Sequence, residues 1–246
     1  MSEGGGFHQQ VPRLVTQIER KIRVSSTEDV VKALRAAISA ARLSTYETAT
    51  GRKGDDDSSA IALYAWNAKI SGALMAPIHF CEVVIRNAVS DALEELYGPA
   101  WPWSPGFEQS LQAPRRGYSP RKDLQNARYK FTSPATGKVI PELNFVFWQK
   151  MFTKRHDYRL WEPFLHKVLP NLDPSKPIAT LRQDIYDEIE QIRKLRNRIA
   201  HHEPIFTRDI EDDLLKVINM VQLRCQTSAS WLMENQMVED LIKSKP

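Results

Sequence analysis

Between Arg196 and Glu203 the chain gathers an arginine, an amide, two imidazoles and a carboxylate: Arg196, Asn197, His201, His202 and Glu203. An imidazole titrates near neutrality and can take or give a proton in catalysis. A guanidinium grips phosphate oxygens through paired N–H donors and stabilises negative charge as it builds. Together these groups mark the stretch as the place to look for function. The same residue types also suit a helix C-terminus, where Arg and His interact favourably with the last carbonyls. Both readings begin from the helix that presents them.

That helix is written in Leu181–Phe206, LRQDIYDEIEQIRKLRNRIAHHEPIF. Ile185, Ile189, Ile192, Leu195 and Ile199 recur at three- and four-residue steps, the helical period. Pro204 stops the run and pushes Glu203 out of the α region, so the cluster is expected in the last turn. Asn197 and His201 are four apart and share a face, whereas Arg196 lies about 140° from His201 on an ideal wheel. Arg196 falls about 40° from Ile192, inside the apolar stripe, where an unpaired charge is costly. Its guanidinium must find a buried partner, reach water, or face a second subunit.

The rest of the chain reads as helices arranged around this one. Its 246 residues carry a net charge of +4, which permits a nucleic-acid partner without requiring one. Residues 1–12 contain three consecutive glycines and are expected to form a flexible tail. Residues 13–58 are expected to be a helical extension, broken near Ser26 and Thr27, followed by a linker from Tyr46 onward. Asp55, Asp56 and Asp57 in that linker are expected to be solvated, because oxygen ligation of a metal needs a shaped loop. Residues 59–241 form the main helical domain, opening with a long helix that Pro77 should kink or divide. Within it, ELNFVFWQKMF is too apolar all round for a surface helix, and Asp209–Leu241 reads as one last helix. No strand-rich segment stands out, so the fold class is all-α.

An insertion at 98–141 breaks the pattern with prolines, glycines and turn residues, and is expected to be largely irregular apart from a short helix near Arg121–Tyr129. Arg115, Arg116, Arg121, Lys122, Arg128 and Lys130 alternate there with Trp101, Trp103, Tyr118, Tyr129 and Phe131. Such a mixture can hold RNA, with cations on phosphates and rings stacked on unpaired bases. Equally, the rings can anchor the loop to the core while the cations stay solvated.

Other chemistries find little support. Cys81 and Cys225 fall in helical patterns and form no metal-ligand pair, as expected of reduced thiols in a cytoplasmic protein. His156 and His166 stand ten residues apart with no carboxylate at ligand spacing and read as ordinary polar residues, so neither metal nor cofactor is expected. The N-terminus lacks the regions of a signal peptide, and no apolar run approaches the ~20 residues that cross a bilayer. No membrane partner is expected.

Arg196-Asn197-Arg198-Ile199-Ala200-His201 resembles the Arg-Asn-x-x-x-His form of the Arg-x(4–6)-His motif of HEPN-domain ribonucleases. The longer run RNRIAHHEPIF resembles the Abi-like (abortive-infection) branch of that superfamily. FCEVVIRNAVSDALEELYG, ELNFVFWQKMF and RLWEPFLHKVLP are similar to further Abi-like segments, so the resemblance spans roughly residues 59–235. A second Arg-Asn pair, Arg86-Asn87, is followed by Asp91 where the motif would have histidine and is not a second copy.

The resemblance implies a HEPN-like helical bundle that cleaves RNA without a metal, pairing two copies of the motif in a homodimer. His201 would then serve as general base or acid, Arg196 would hold the scissile phosphate, and Asn197 would orient one or the other. His202, Glu203 and the i,i+4 pair Glu82–Arg86 would be supporting residues. It also implies a toxin or phage-defence setting with an antitoxin or regulatory RNA as partner. Against this stand a non-catalytic HEPN-type module that binds RNA or protein, and an antitoxin or regulatory subunit.

Overall fold

The computed structural model describes residues 27–51, 58–131 and 135–246. The expected tail at 1–12, the start of the helical extension at 13–26 and Asp55–Asp57 lie outside the described residues. Among the described residues every regular element is helical, as the apolar periodicity requires. The chain divides into two compact units, one reaching Trp66 and one spanning Asn67–Lys245.

In the first unit, α1 (Thr27–Ile38) and α2 (Ala40–Thr50) meet at Ser39, whose φ of +80° interrupts the helical path. A helix begins at Thr27, where a break or cap is expected, with Glu28 and Asp29 in its first turn; the break at Ser39 is an additional one, and Tyr46–Thr50, read as linker, belongs to α2. Leu43 and Tyr46 are buried, Tyr46 meets Tyr64 edge-on at 5.2 Å, and Arg35 pairs with the buried Glu47.

The second unit contains most of α3 (Ser59–Tyr97), which runs through Pro77 without being divided. Ile70, Leu74, Ile78, Cys81, Ile85, Val89 and Leu93 form its buried stripe. By length and mean hydropathy, 1.4 over its most apolar window, α3 is long and apolar enough to cross a membrane. Residues outside its buried stripe are met by later helices. Arg224 pairs with Asp91 at 2.5 Å, Lys167 with Glu95 at 2.8 Å, and Trp231 packs on Phe80 at 5.4 Å.

The insertion is more ordered than expected. It holds a 3-10 turn (Trp101–Trp103), α4 (Pro105–Ser110), α5 (Pro120–Tyr129), α6 (Thr136–Val139) and a second 3-10 turn (Ile140–Glu142). Ser104 and Ser119 accept from the third residue on, each followed by Pro at the first helical position, so sequence alone sets these starts. Trp101 is fully buried, donates to Ser90 Oγ at 3.1 Å and stands edge-on to Phe107 and Trp148. That ring anchors the insertion.

Next come α7 (Phe145–Met151), a 3-10 turn (Lys154–His156), a π-helical turn (Asp157–Trp161) and α8 (Glu162–Val168). The long α9 (Ile178–Ala200) buries Leu181, Ile185, Ile189, Ile192, Leu195 and Ile199 against α7, α8, the π turn and α10 (Ile210–Arg224). Arg182, 5% exposed, holds Asp157 through two bonds of 2.9 and 3.2 Å and ties the π turn to α9. The single helix expected at 209–241 is three: α10, α11 (Gln226–Asn235) and α12 (Val238–Lys243). Cys225 is extended (φ −155°) and caps α11 through its sulfur.

His156 is 7% exposed at the start of this region. Burial chiefly, with Arg155 and Arg159 and against Asp157, pushes its pKa down to about 4. The folded chain thus binds this proton less tightly than the unfolded chain, whose imidazole has an ordinary value near 6.5. Its contribution to stability is complete above that value and is lost as pH falls toward about 4. Urea unfolding in phosphate-free buffer should lose about 2 kcal/mol between pH 7 and pH 5, and most of that loss should vanish in His156→Leu.

Candidate functional site

α9 ends one residue before the histidines. His201 is its C-cap, and His202 takes the left-handed conformation at φ +56°. This lets the N–H of His202 donate to Ile199 O at 3.0 Å and that of Glu203 to Arg198 O at 2.8 Å. Paired bonds of this kind satisfy the last carbonyls and terminate a helix, usually with glycine at the left-handed position. Arg198 clamps the turn, donating to Pro204 O at 2.8 Å and lying 3.6 Å from Glu203. The two imidazoles and Glu203 therefore stand beyond the last turn, not within it. The correction follows from His202: one left-handed residue releases the chain before Pro204 must.

The exit from the turn is anchored in α3. Asn67, 6% exposed, accepts through Oδ1 from Ile205 N–H at 2.8 Å and Phe206 N–H at 3.1 Å. One side-chain oxygen thus satisfies two buried backbone donors.

A polar cleft of about 340 Å³ opens where α3, α9 and the start of α7 meet. Glu82 and Arg86 enter from α3, Glu142, which pairs with Lys130, from the second 3-10 turn, Asn144 from the N-terminus of α7, and Arg193, Arg196 and Asn197 from α9. Two of the three guanidiniums are neutralised. Arg86 pairs with Glu82 and donates weakly to Pro141 O at 3.4 Å. Arg193 pairs with Glu190 at 2.9 Å and donates to the fully buried Gln149 at 3.1 Å, while Gln149 donates to Glu190 at 2.6 Å. Burial alone would raise the Glu190 pKa, but hydrogen bonds from Arg193 and Gln149 hold it below the usual carboxylate value. The Arg196 side chain has neither a hydrogen bond nor an ion pair among the described residues, and the residue is half-buried. The stripe position that looked costly opens onto a cleft, not a dry core.

The structure thus brings together Arg196, Asn197, Glu82 and Arg86. His201, His202 and Glu203 are exposed and do not line the cleft. Arg193 and Asn144 were missed by sequence reasoning. Arg193 stands three residues before Arg196 and so shares its face, a signal that was available; Asn144 carries none beyond its place before an apolar helix.

In the insertion, several cations serve the fold. Arg121 donates to the carbonyls of Glu108, Gln109 and Leu111 at 2.9–3.0 Å and caps the C-terminus of α4. Arg128 donates to Pro102 O at 2.9 Å and pairs with Glu108; Lys130 pairs with Glu142. Arg115, Arg116 and Lys122 are exposed. Asp123 accepts from Tyr118 at 2.6 Å and from the Asn144 amide at 2.6 Å, joining the insertion to the cleft edge. Among the described residues no three His, Cys, Asp or Glu side chains are grouped to hold a metal ion.

What the cleft offers chemically is a cation without a countercharge beside a free amide, suited to an oxyanion. Two substitutions test how it is built. Asn67→Ala orphans two buried N–H groups and should cost about 2–4 kcal/mol in urea unfolding. His202→Val places a β-branched residue at positive φ and should cost about 1–2 kcal/mol, whereas His202→Gly should be tolerated. No protein-family model, curated protein or solved structure matches this chain.

Proposed function

We propose that the chain is a metal-independent endoribonuclease of the abortive-infection type, a HEPN-superfamily member acting as a cytoplasmic homodimer. The observation that carries this reading is Arg196, the unpaired cation of a cleft whose other guanidiniums have carboxylates. Arg196 holds a non-bridging oxygen of the scissile phosphate, and Asn197 fixes its orientation. An imidazole, His201, takes the proton of the ribose 2′-hydroxyl as that oxygen attacks phosphorus. The bond to the 5′-oxygen breaks, the departing oxygen takes a proton from a second imidazole, for which His202 stands next in the chain, and a 2′,3′-cyclic phosphate remains. Exposed Arg115, Arg116 and Lys122 supply contacts to the RNA strand. An antitoxin or regulatory RNA would hold such an activity in check, as a toxin or phage-defence role demands.

His201 lies outside the cleft that holds Arg196, which supports a site shared between two subunits. The same observation favours a second reading, a non-catalytic module in which Arg196 binds RNA or a protein partner and His201 only ends the helix.

Cleavage of total RNA in EDTA separates the two. Arg196→Ala and His201→Ala should each slow cleavage by about 10²–10⁴-fold while keeping the wild-type circular dichroism. Mixing the two inactive variants under subunit exchange should restore activity, because one site of each mixed dimer then keeps both residues. Failure to recover would overturn the shared site. RNA retained in a gel shift yet left intact by the wild-type protein would favour the binding module.

A further inference from the structure

A second, smaller cavity of about 180 Å³ lies where the end of α3 meets α4 and the π turn. Its polar wall is Arg155, His156, Arg159 and Tyr97, over apolar Phe107 and Leu160, and no carboxylate lines it. Arg155 has no hydrogen bond or ion pair among the described residues. Arg159 lies over the Tyr97 ring at 5.7 Å and has no carboxylate partner among them either. The one acidic residue between these arginines, Asp157, is taken by Arg182 through bonds of 2.9 and 3.2 Å. Two exposed arginines one helical turn apart therefore line one pocket, and the carboxylate between them is engaged by Arg182. Such an imbalance in a partly enclosed site attracts an anion. His156, 7% exposed at the same wall, adds a ring that can donate one N–H in its neutral form. The π-helical turn that carries Arg159 is itself a geometry found often at functional sites.

We propose that this cavity is a phosphate-binding site, in which Arg155 and Arg159 grip the oxygens of one phosphate group and His156 closes the wall. The volume sets the class of ligand. At about 180 Å³ the cavity has room for a phosphate group. The occupant is inorganic phosphate or the terminal phosphate of an RNA chain whose remainder lies outside. This site is separate from the Arg196 cleft and does not rest on the nuclease reading.

Isothermal titration of the full chain with inorganic phosphate, in low-salt buffer free of phosphate, tests the assignment. The titration is run in the Arg196→Gln background, so that binding in the larger cleft is removed. One phosphate should bind per chain, and adding Arg155→Gln or Arg159→Gln should weaken it by roughly tenfold or more. Arg155→Lys should recover part of the affinity, which separates lost charge from lost folding. Absence of binding at millimolar phosphate in the Arg196→Gln protein would overturn the proposal, as would equal affinity with and without Arg155. A short RNA compared with and without a 5′-phosphate identifies the source. Tighter binding of the phosphorylated strand, abolished by Arg155→Gln, supports a terminal RNA phosphate, and equal binding of both strands supports the free ion.

Discussion

The carboxamide oxygen of Asn67 accepts the N–H groups of both Ile205 and Phe206, and this pair of bonds fixes where the polar end of α9 is held. A buried backbone donor without an acceptor is costly, so the segment after Pro204 has little freedom to settle elsewhere. The same helix that supplies Asn67 supplies Glu82 and Arg86 to the cleft. Position along α3 therefore sets two relations at once: the exit of the His201–His202 turn and the wall opposite Arg196.

Against that fixed frame, the charges sort themselves by pairing. Arg86, Arg182, Arg193, Arg198 and Arg208 each lie beside a carboxylate, the last held by Asp213 at 2.5 Å. These pairs stitch turns and helices together. Arg155, Arg159 and Arg196 stand outside this scheme, each lining a cavity. A cation that the fold leaves uncompensated at a concave surface is where an external anion gains most.

The features legible in the sequence were local. The buried stripe of α9 followed from isoleucine spacing, and the start of α5 from Ser119 and Pro120. The divisions at Ser39 and Cys225 were not legible, because neither glycine nor proline marks them and packing sets their extended or positive-φ backbones. Placing the histidines inside α9 failed for a similar reason. The left-handed turn uses His202 in a role that composition assigns to glycine. In the candidate site, the partnership of Arg196 and Asn197 was readable from adjacency, whereas its opposite wall, and the diversion of Arg121 and Arg128 into the fold, depend on contacts between distant segments.

The clasping of α3 by late helices has a consequence during synthesis. Lys167, Arg224 and Trp231, which hold Glu95, Asp91 and Phe80, follow the end of α3 at Tyr97 by 70, 127 and 134 residues (167 − 97, 224 − 97, 231 − 97). At roughly 5–20 residues per second on the ribosome, those partners arrive some seconds to about half a minute after α3 has emerged. Throughout that interval α3 lacks these three contacts, while Trp101, which donates to Ser90 of the same helix, is already made. The clasp on α3 is thus completed from segments made long after the helix itself.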